Sequence, residues 1–358
     1  MDKLYSFKNI TKKPISVLIN GKNTIVKPNE VIVGTNYFTN YKGLLKLNKP
    51  KESLKLPEEP KLIDLVSEIS IYDNEVNFEE DDPIIEYNVV EELNKGNKMN
   101  KIDLSDVTFT IPLTIESEDR KENLTIILDY LNKYFITNVL VCEFDKSIKV
   151  KDFWKPEWQS LCRLFFIENK TGFFHKTKIL NALAKIANTP IIVSYDCDVL
   201  LKPSAYIDAA NEIREGKSDF CYPFNKPLKH IKKEDANKLK LSLDLSLIDK
   251  DTAVTHPGIP PGGCFFMNRN KFIEAGMENE NMVAWGPEDQ ERLDRVKKLG
   301  YRVNSLNNDL YHIDHIITPN SFYSNPYYNS NVKEHEKIKA FTKEELKNYI
   351  KTFRWANQ

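Results

Sequence analysis

Residues 193–203 read VSYDCDVLLKP. An apolar run that begins at Pro190 ends in Asp196-Cys197-Asp198 and passes into a loop. Residues two apart on an extended chain share a face, so Asp196 and Asp198 are expected to point into one site while Cys197 points away. A carboxylate pair at a strand end suits a hard divalent cation that keeps other positions for phosphate oxygens. Taken alone the tripeptide reads equally well as a solvated turn, so its neighbours decide. Upstream, KTKILNALAKIA aligns Ile179, Leu180, Leu183 and Ile186 on one helical face. Downstream, PSAYIDAANEIREG has Pro203 near its start and Gly216 past its end, the usual helix punctuation.

Further upstream the same alternation holds. VTFTIPLTI reads as a strand, KENLTIILDYLNKYF as a helix and TNVLVCEFD as the next strand; DFCYPF, after the third helix, is again extended. Strands alternating with helices imply an α/β domain with a mainly parallel sheet and helices on both faces. In such sheets ligands bind beyond the carboxyl ends of the strands. Chemistry is therefore expected just after TIPLT, VCEFD and VSYDCD.

Two later stretches carry further candidates. In PPGGCFFMN a glycine pair, Gly262-Gly263, precedes an apolar strand, and Trp285-Gly286-Pro287-Glu288-Asp289 then opens a helix that stops at Gly300. Acids in a first helical turn complement the helix dipole and often do nothing else. The glycine-rich approach and the aromatic wall of Trp285 favour a functional reading, because a partly buried carboxylate beside an apolar ring can serve as general base for a hydroxyl. In LYHIDHIITPN, His312 and His315 are two of six histidines. Neutral imidazole is a good transition-metal ligand. If the segment is extended, residues three apart face opposite sides, so one of the two is expected to reach a metal. Without thiolates or a HExxH pattern, HIDH is a weaker zinc signature.

The order of these pieces resembles the GT-A fold glycosyltransferases, in particular the β-1,4-galactosyltransferases, the polypeptide N-acetylgalactosaminyltransferases and the bacterial capsule and chondroitin polymerases. The matching residues are Ile111-Pro112-Leu113-Thr114, Arg120, Asn123-Leu124, Glu143, Asp145, Lys176, Asn181, Asp196-Cys197-Asp198, Gly262-Gly263, Trp285–Asp289 and His312 or His315. The resemblance covers about 210 residues and implies a GT-A (Rossmann-like, mixed but mainly parallel) domain over 105–320. By it, Thr114 with Glu143 or Asp145 contacts the base and ribose of a UDP-sugar, and Arg120, Lys176, Asn181, Gly263 and Trp285 complete the donor site. Asp198 binds Mn²⁺ (or Mg²⁺), Asp196 faces the ribose or a metal-bound water, and a late histidine completes the metal site. Asp289 deprotonates the acceptor hydroxyl, Glu288 holds the acceptor sugar, and the product is inverted. The motif's tail, EDQER, departs from the galactosyltransferase pattern of further acids and leaves the acceptor open.

Two rivals stand beside this reading. A nucleotidyltransferase also joins carboxylates, metal and nucleotide, but it normally carries a glycine-rich phosphate loop near the first strand, and TIPLTIESEDR has no glycine. A catalytically inactive glycan- or nucleic-acid-binding protein on the same fold has no need of both the DxD and WGPED pieces.

Residues 1–104 match nothing in that family. Residues 1–57 carry eleven lysines against three acids, so 11 − 3 = +8; residues 58–92 carry one lysine against thirteen acids, so 1 − 13 = −12. Such a reversal marks a boundary. The reading is a basic β-rich module at 1–57, an acidic linker at 58–104 with a helix near Ile63–Ile71, and a helical extension at 321–358. ISVLI, Asn20-Gly21 and NTIVK form a hairpin signal, VIVG reads as a further strand, and Thr342 with Glu345 forms a capping-box pattern. The basic module is expected to recruit a polyanionic partner or to dock on the acidic stretch. Five widely spaced cysteines without a CxxC pair argue for buried thiols and against disulfides or a thiolate zinc site. With no apolar run long enough to span a bilayer and no signal-peptide core at the start, a cytoplasmic protein is expected.

Overall fold

The computed structural model describes residues 101–248, 253–254, 258–318, 320 and 325–356, together with the backbone of six strands in the first hundred residues. The chain divides into two units, Met1–Glu68 and Ile69–Gln358. In the first, β1 (Tyr5–Asn9) is followed by β2 (Ile15–Ile19), β3 (Lys22–Val26), β4 (Val31–Gly34) and β5 (Leu44–Lys46). The expected hairpin is β2–β3, antiparallel with Ile15 opposite Val26. Strand β1 lies between β4 and β5, antiparallel to both. The helix expected near Ile63–Ile71 lies outside the described residues.

The second unit opens with β6 (Ile85–Tyr87), inside the stretch read as linker. The alternating pattern follows: β7 (Ile102–Leu113), α1 (Glu118–Tyr134), β8 (Phe135–Asp145), β9 (Cys162–Glu168), α2 (Lys176–Ile186), β10 (Ile191–Tyr195), β11 (Val199–Leu200), α3 (Pro203–Arg214) and β12 (Phe220–Tyr222). Then come β13 (Lys229–Ile231), α4 (Lys233–Ser242), β14 (Ala253–Val254), β15 (Cys264–Asn268), α5 (Arg269–Glu274), α6 (Glu288–Leu299), β16 (Val303–Ser305), β17 (Tyr311–Ile313), α7 (Tyr328–Ala340) and α8 (Lys343–Ile350).

Eight strands form the main sheet in the order β16-β12-β15-β10-β7-β8-β9-β6. The pairs β10–β7, β7–β8, β8–β9 and β12–β16 are parallel; β15 runs antiparallel between β10 and β12, and β6 is antiparallel at the other edge. This is the mixed, mainly parallel α/β sheet that the sequence implies. Helices cover both faces of such a sheet, and every residue of IIVSY in β10 is buried. Phe109, Tyr195, Tyr206 and Phe266 meet edge-on or tilted in the centre. A second sheet, β11-β17-β13-β14, lies after the DxD strand.

Local chemistry sets the element ends. Ser117 caps α1 by accepting from the Arg120 amide, and Gly300 ends α6 with φ +90°. The Thr342–Glu345 capping box starts α8 with both of its reciprocal bonds present. All five cysteines are free and buried. Among the described residues no helix is long and apolar enough to cross a membrane.

Candidate active site

Strand β10 runs to Tyr195, which pairs with Cys264; the Asp196 amide carries the ladder one bond further by donating to the Gly263 carbonyl at 2.9 Å, and the chain turns at Cys197-Asp198. The expectation of an extended Asp196–Asp198 with both carboxylates on one face is therefore corrected. The segment is a turn, and it sends the two side chains to adjacent but different clusters. Cys197 stays buried with its sulfur 3.8 Å from Arg120 Nη1.

Asp198 faces α1 and the second sheet. Its carboxylate forms an ion pair with Arg120, which the capped first turn of α1 presents to it. Val199 of β11 pairs with His312 of β17, and the Ile313 amide donates to the Asp198 carbonyl at 2.8 Å. Asn123 Nδ2 donates to the carbonyls of Ile313 and Asp314, both at 3.4 Å, so α1 also holds the histidine segment. His315 Nε2 lies 3.3 Å and His312 Nε2 3.8 Å from Asp198 Oδ2. Both imidazoles thus reach the carboxylate. The expectation of one assumed an extended segment, whereas β17 ends at Ile313, before His315.

Burial alone would raise the Asp198 pKa, but Arg120, then His312 and His315, hold it far below the ordinary carboxylate range. Burial opposes charge on His315, yet the hydrogen bond to Asp198 raises its pKa; burial lowers that of His312. Ligand atoms of Asp198, His312 and His315 all lie within 4.8 Å of one another. One carboxylate with two imidazoles departs from the all-oxygen preference of Mg²⁺ and suits a transition ion.

Asp196 belongs to the second cluster, and a lysine organises it. Lys176, at the start of α2, places Nζ 3.1 Å from Asp196 Oδ1, 3.1 Å from Asp289 Oδ2 and 3.8 Å from Glu288 Oε1. Burial disfavours its charge, but Asp196, Asp289 and Glu288 together hold its pKa well above the ordinary lysine range. Asp289 also meets Arg292 at 2.9 Å, one turn along α6. Burial pushes the Asp289 carboxyl up, and Lys176 and Arg292 outweigh it, so the group is held ionised. Glu288 has the opposite balance: burial, then the neighbouring Asp289 charge, push it up to about 8. Its Oε2 accepts from the Gly286 amide at 3.1 Å. A Cβ added to Gly262 would sit 2.2 Å from Asp289 Oδ2, so only glycine lets the backbone approach this carboxylate. Gly263 adopts φ +96° beside it.

The remaining predicted residues divide. Thr114 and Asp145, at the ends of β7 and β8, share a 3.1 Å hydrogen bond, and Lys149 Nζ meets Asp145 at 2.7 Å. Glu143 is turned inward and fully buried. Its oxygens accept from the amides of Lys149 at 3.0 Å and Val150 at 2.9 Å, so it shapes the loop after β8 and is not free to meet a nucleotide. Asn181 is likewise engaged, with Glu278 and the Glu280 carboxylate at 2.7–3.1 Å, and ties α2 to the loop before α6. Trp285 is 39% exposed and stacks on Tyr328 of α7 at 5.6 Å. Sequence reasoning passed over Arg292, Tyr328 and Asn331. Arg292 stood in the EDQER tail that departs from the galactosyltransferase pattern; the other two had no motif to mark them.

Residues 260–317, which hold the glycine pair, Glu288-Asp289 and both histidines, match the family model described as the N-terminal domain of galactosyltransferase. Solved structures similar to this chain include three described with their ligands. Staphylococcus aureus TarS 1–349 with UDP-GlcNAc is 14% identical, covering 68% of this chain and 70% of that one, with TM-score 0.45. GalNAc-T7 with UDP, GalNAc and Mn²⁺ is 16% identical, covering 69% and 50%, with TM-score 0.46. Drosophila β-1,4-galactosyltransferase 7 with xylobiose is 13% identical, covering 58% and 71%, with TM-score 0.33. Against two further TarS structures the matched region spans 60% of TarS 1–349 and 36% of the longer TarS chain. No curated protein matches the chain in sequence.

Proposed function

We propose that this chain is a metal-dependent glycosyltransferase that moves a hexose or N-acetylhexosamine from a UDP-sugar to an acceptor hydroxyl. The observation that carries the reading is the turn at 196–198. It delivers Asp198 to two imidazoles and Asp196 to a lysine-bridged carboxylate cluster beyond the carboxyl end of the same central strand. Asp198, His312 and His315 would hold Mn²⁺, and the ion supplies charge neutralisation for the departing diphosphate. Thr114 and Asp145, at the neighbouring strand ends, are placed to contact the base and ribose.

Asp289 is the general base. Held ionised by Lys176 and Arg292, it accepts the proton of the acceptor hydroxyl as that oxygen bonds to the anomeric carbon and the bond to UDP breaks. One displacement of this kind inverts the anomeric centre. Glu288, protonated over the neutral range, donates a hydrogen bond to the acceptor sugar. Lys176 keeps Asp196 and Asp289 from repelling each other and fixes both carboxylates.

TarS and GalNAc-T7 are described with UDP-GlcNAc and with UDP, GalNAc and Mn²⁺, which makes these sugars the first donors to offer. The test is calorimetric titration of UDP in the presence of Mn²⁺, beside UDP release from UDP-sugars with and without the ion. Asp198→Ala is expected to abolish both Mn²⁺-dependent UDP binding and turnover. Undiminished UDP–Mn²⁺ affinity in that variant sinks the assignment.

A further inference from the structure

His312 has a second imidazole neighbour on the side away from Asp198. Strands β13 and β17 are parallel, and their register sets His230 directly beside His312. The two rings meet edge-to-face with centroids 5.1 Å apart. His230 Nδ1 lies 2.9 Å from Asp314 Oδ1. Ligand atoms of His230, His312 and Asp314 all fall within 4.8 Å of one another. Among the described residues, His230 Nε2 and His312 Nδ1, both buried, have no hydrogen-bond partner. A buried nitrogen that nothing meets is costly, and a buried unsatisfied polar atom points to a water or an ion.

We propose that His230, His312 and Asp314 form a second metal site, for an ion of the zinc class, that shares His312 with the Asp198 cluster. Two imidazoles and one carboxylate are the donors that borderline transition ions take, in place of the oxygen cages of Mg²⁺ and Ca²⁺. Three protein ligands leave a fourth position for water.

Sharing His312 gives the site a consequence, which rests on the Asp198 cluster being the Mn²⁺ site. A neutral imidazole has one nitrogen that donates and one with a lone pair. His312 turns Nε2 toward Asp198, which leaves Nδ1 for the outer ion. When Nδ1 gives its lone pair to the outer ion, Nε2 carries the proton and no longer serves as a ligand to the inner one. Zinc at the outer site therefore weakens Mn²⁺ at the inner site.

The experiment has two arms on the full chain. Equilibrium dialysis against zinc compares wild type with His230→Asn and Asp314→Asn, near-isosteric changes beside β17 whose folding is checked by circular dichroism. Each is expected to weaken one zinc-binding event by at least about tenfold, the lower end for losing even an outer partner of a metal site. Zinc binding unchanged in both variants overturns the site, with zinc then confined to the Asp198 cluster. In the second arm, zinc is expected to weaken Mn²⁺-dependent UDP binding in wild type and to lose that effect in His230→Asn. Inhibition of equal size in both proteins overturns the competition. If wild type binds no UDP with Mn²⁺, the glycosyltransferase reading fails while the dialysis arm still decides the zinc site.

Discussion

Asp289 is defined by what touches it: Lys176 at 3.1 Å, Arg292 at 2.9 Å and the bare backbone of Gly262. As general base it should be replaceable in shape but not in function. Asp289→Asn is expected to lower kcat by at least about 10²-fold, the lower range for losing general-base assistance, with UDP affinity nearly unchanged. A variant at full turnover moves the base to Glu288. Glu288 offers a separate measurement. Its folded pKa, about 8, lies above the ordinary 4.5, so the folded state binds its proton more tightly than the unfolded chain. That contribution is fully present below about 4.5 and is lost as pH rises through about 8. Urea midpoints of wild type should therefore fall across this window more steeply than those of Glu288→Gln; parallel curves rule the shifted carboxyl out. The sequence displayed Glu288 and Asp289 because a tryptophan and a first helical turn frame them. It could not display Lys176 as their partner, since the contact joins α2 to α6 across more than a hundred residues and only the fold closes it. It misdirected at Asp198, where the alternation rule assumed that the strand runs on, whereas the chain turns at Cys197-Asp198.

At the scale of elements, α7 clamps the loop that leads into α6. Asn331 is fully buried. It accepts from the Val283 amide at 3.2 Å and donates to the Val283 carbonyl at 2.8 Å, and Asn325 donates to the Trp285 carbonyl at 2.9 Å. Gly286 is pressed against Asn331 so closely that a Cβ would lie 2.6 Å from its amide nitrogen. Asn331→Ala leaves the Val283 amide and carbonyl unsatisfied, at about 1–3 kcal/mol each if they stay buried. A loss of that order in urea unfolding is expected, with a lower kcat, because the loop sets Glu288 and Asp289; a variant as stable as wild type would show the clamp to be ornamental. Helices α1, α2, α3 and α6 were legible in the sequence because each carries an apolar stripe or clear end signals. Helix α7 was legible only as part of a helical tail. Its few buried side chains, Asn331, His335 and Ile338, include two polar ones, so hydropathy hides the face that docks. The small sheet β11-β17-β13-β14 was illegible for another reason: its strands are two or three residues long, too short for any period to show.

For the whole molecule, the open term is the first unit, Met1–Glu68, which contributes none of the residues proposed for the chemistry. Its first 57 residues carry +8, and the next 35 carry −12. A basic module beside an enzyme raises the local concentration of a polyanionic acceptor by long-range attraction. The competing account is that the basic segment docks on the acidic one, favoured by the high effective concentration of adjacent segments. Removing the unit separates the two. The cut belongs before Ile69 and not at Ser105, because β6 at Ile85–Tyr87 pairs with β9 and β7 begins at Ile102. If the module recruits acceptor, the chain from Ile69 keeps full UDP-sugar hydrolysis but shows a raised acceptor KM. The intact chain then loses its advantage as salt rises, since the Debye length shrinks from about 10 Å at 0.1 M to about 3 Å at 1 M. If the basic and acidic segments bind each other, deletion leaves acceptor kinetics unchanged at every salt concentration, and the first unit serves structure or assembly alone.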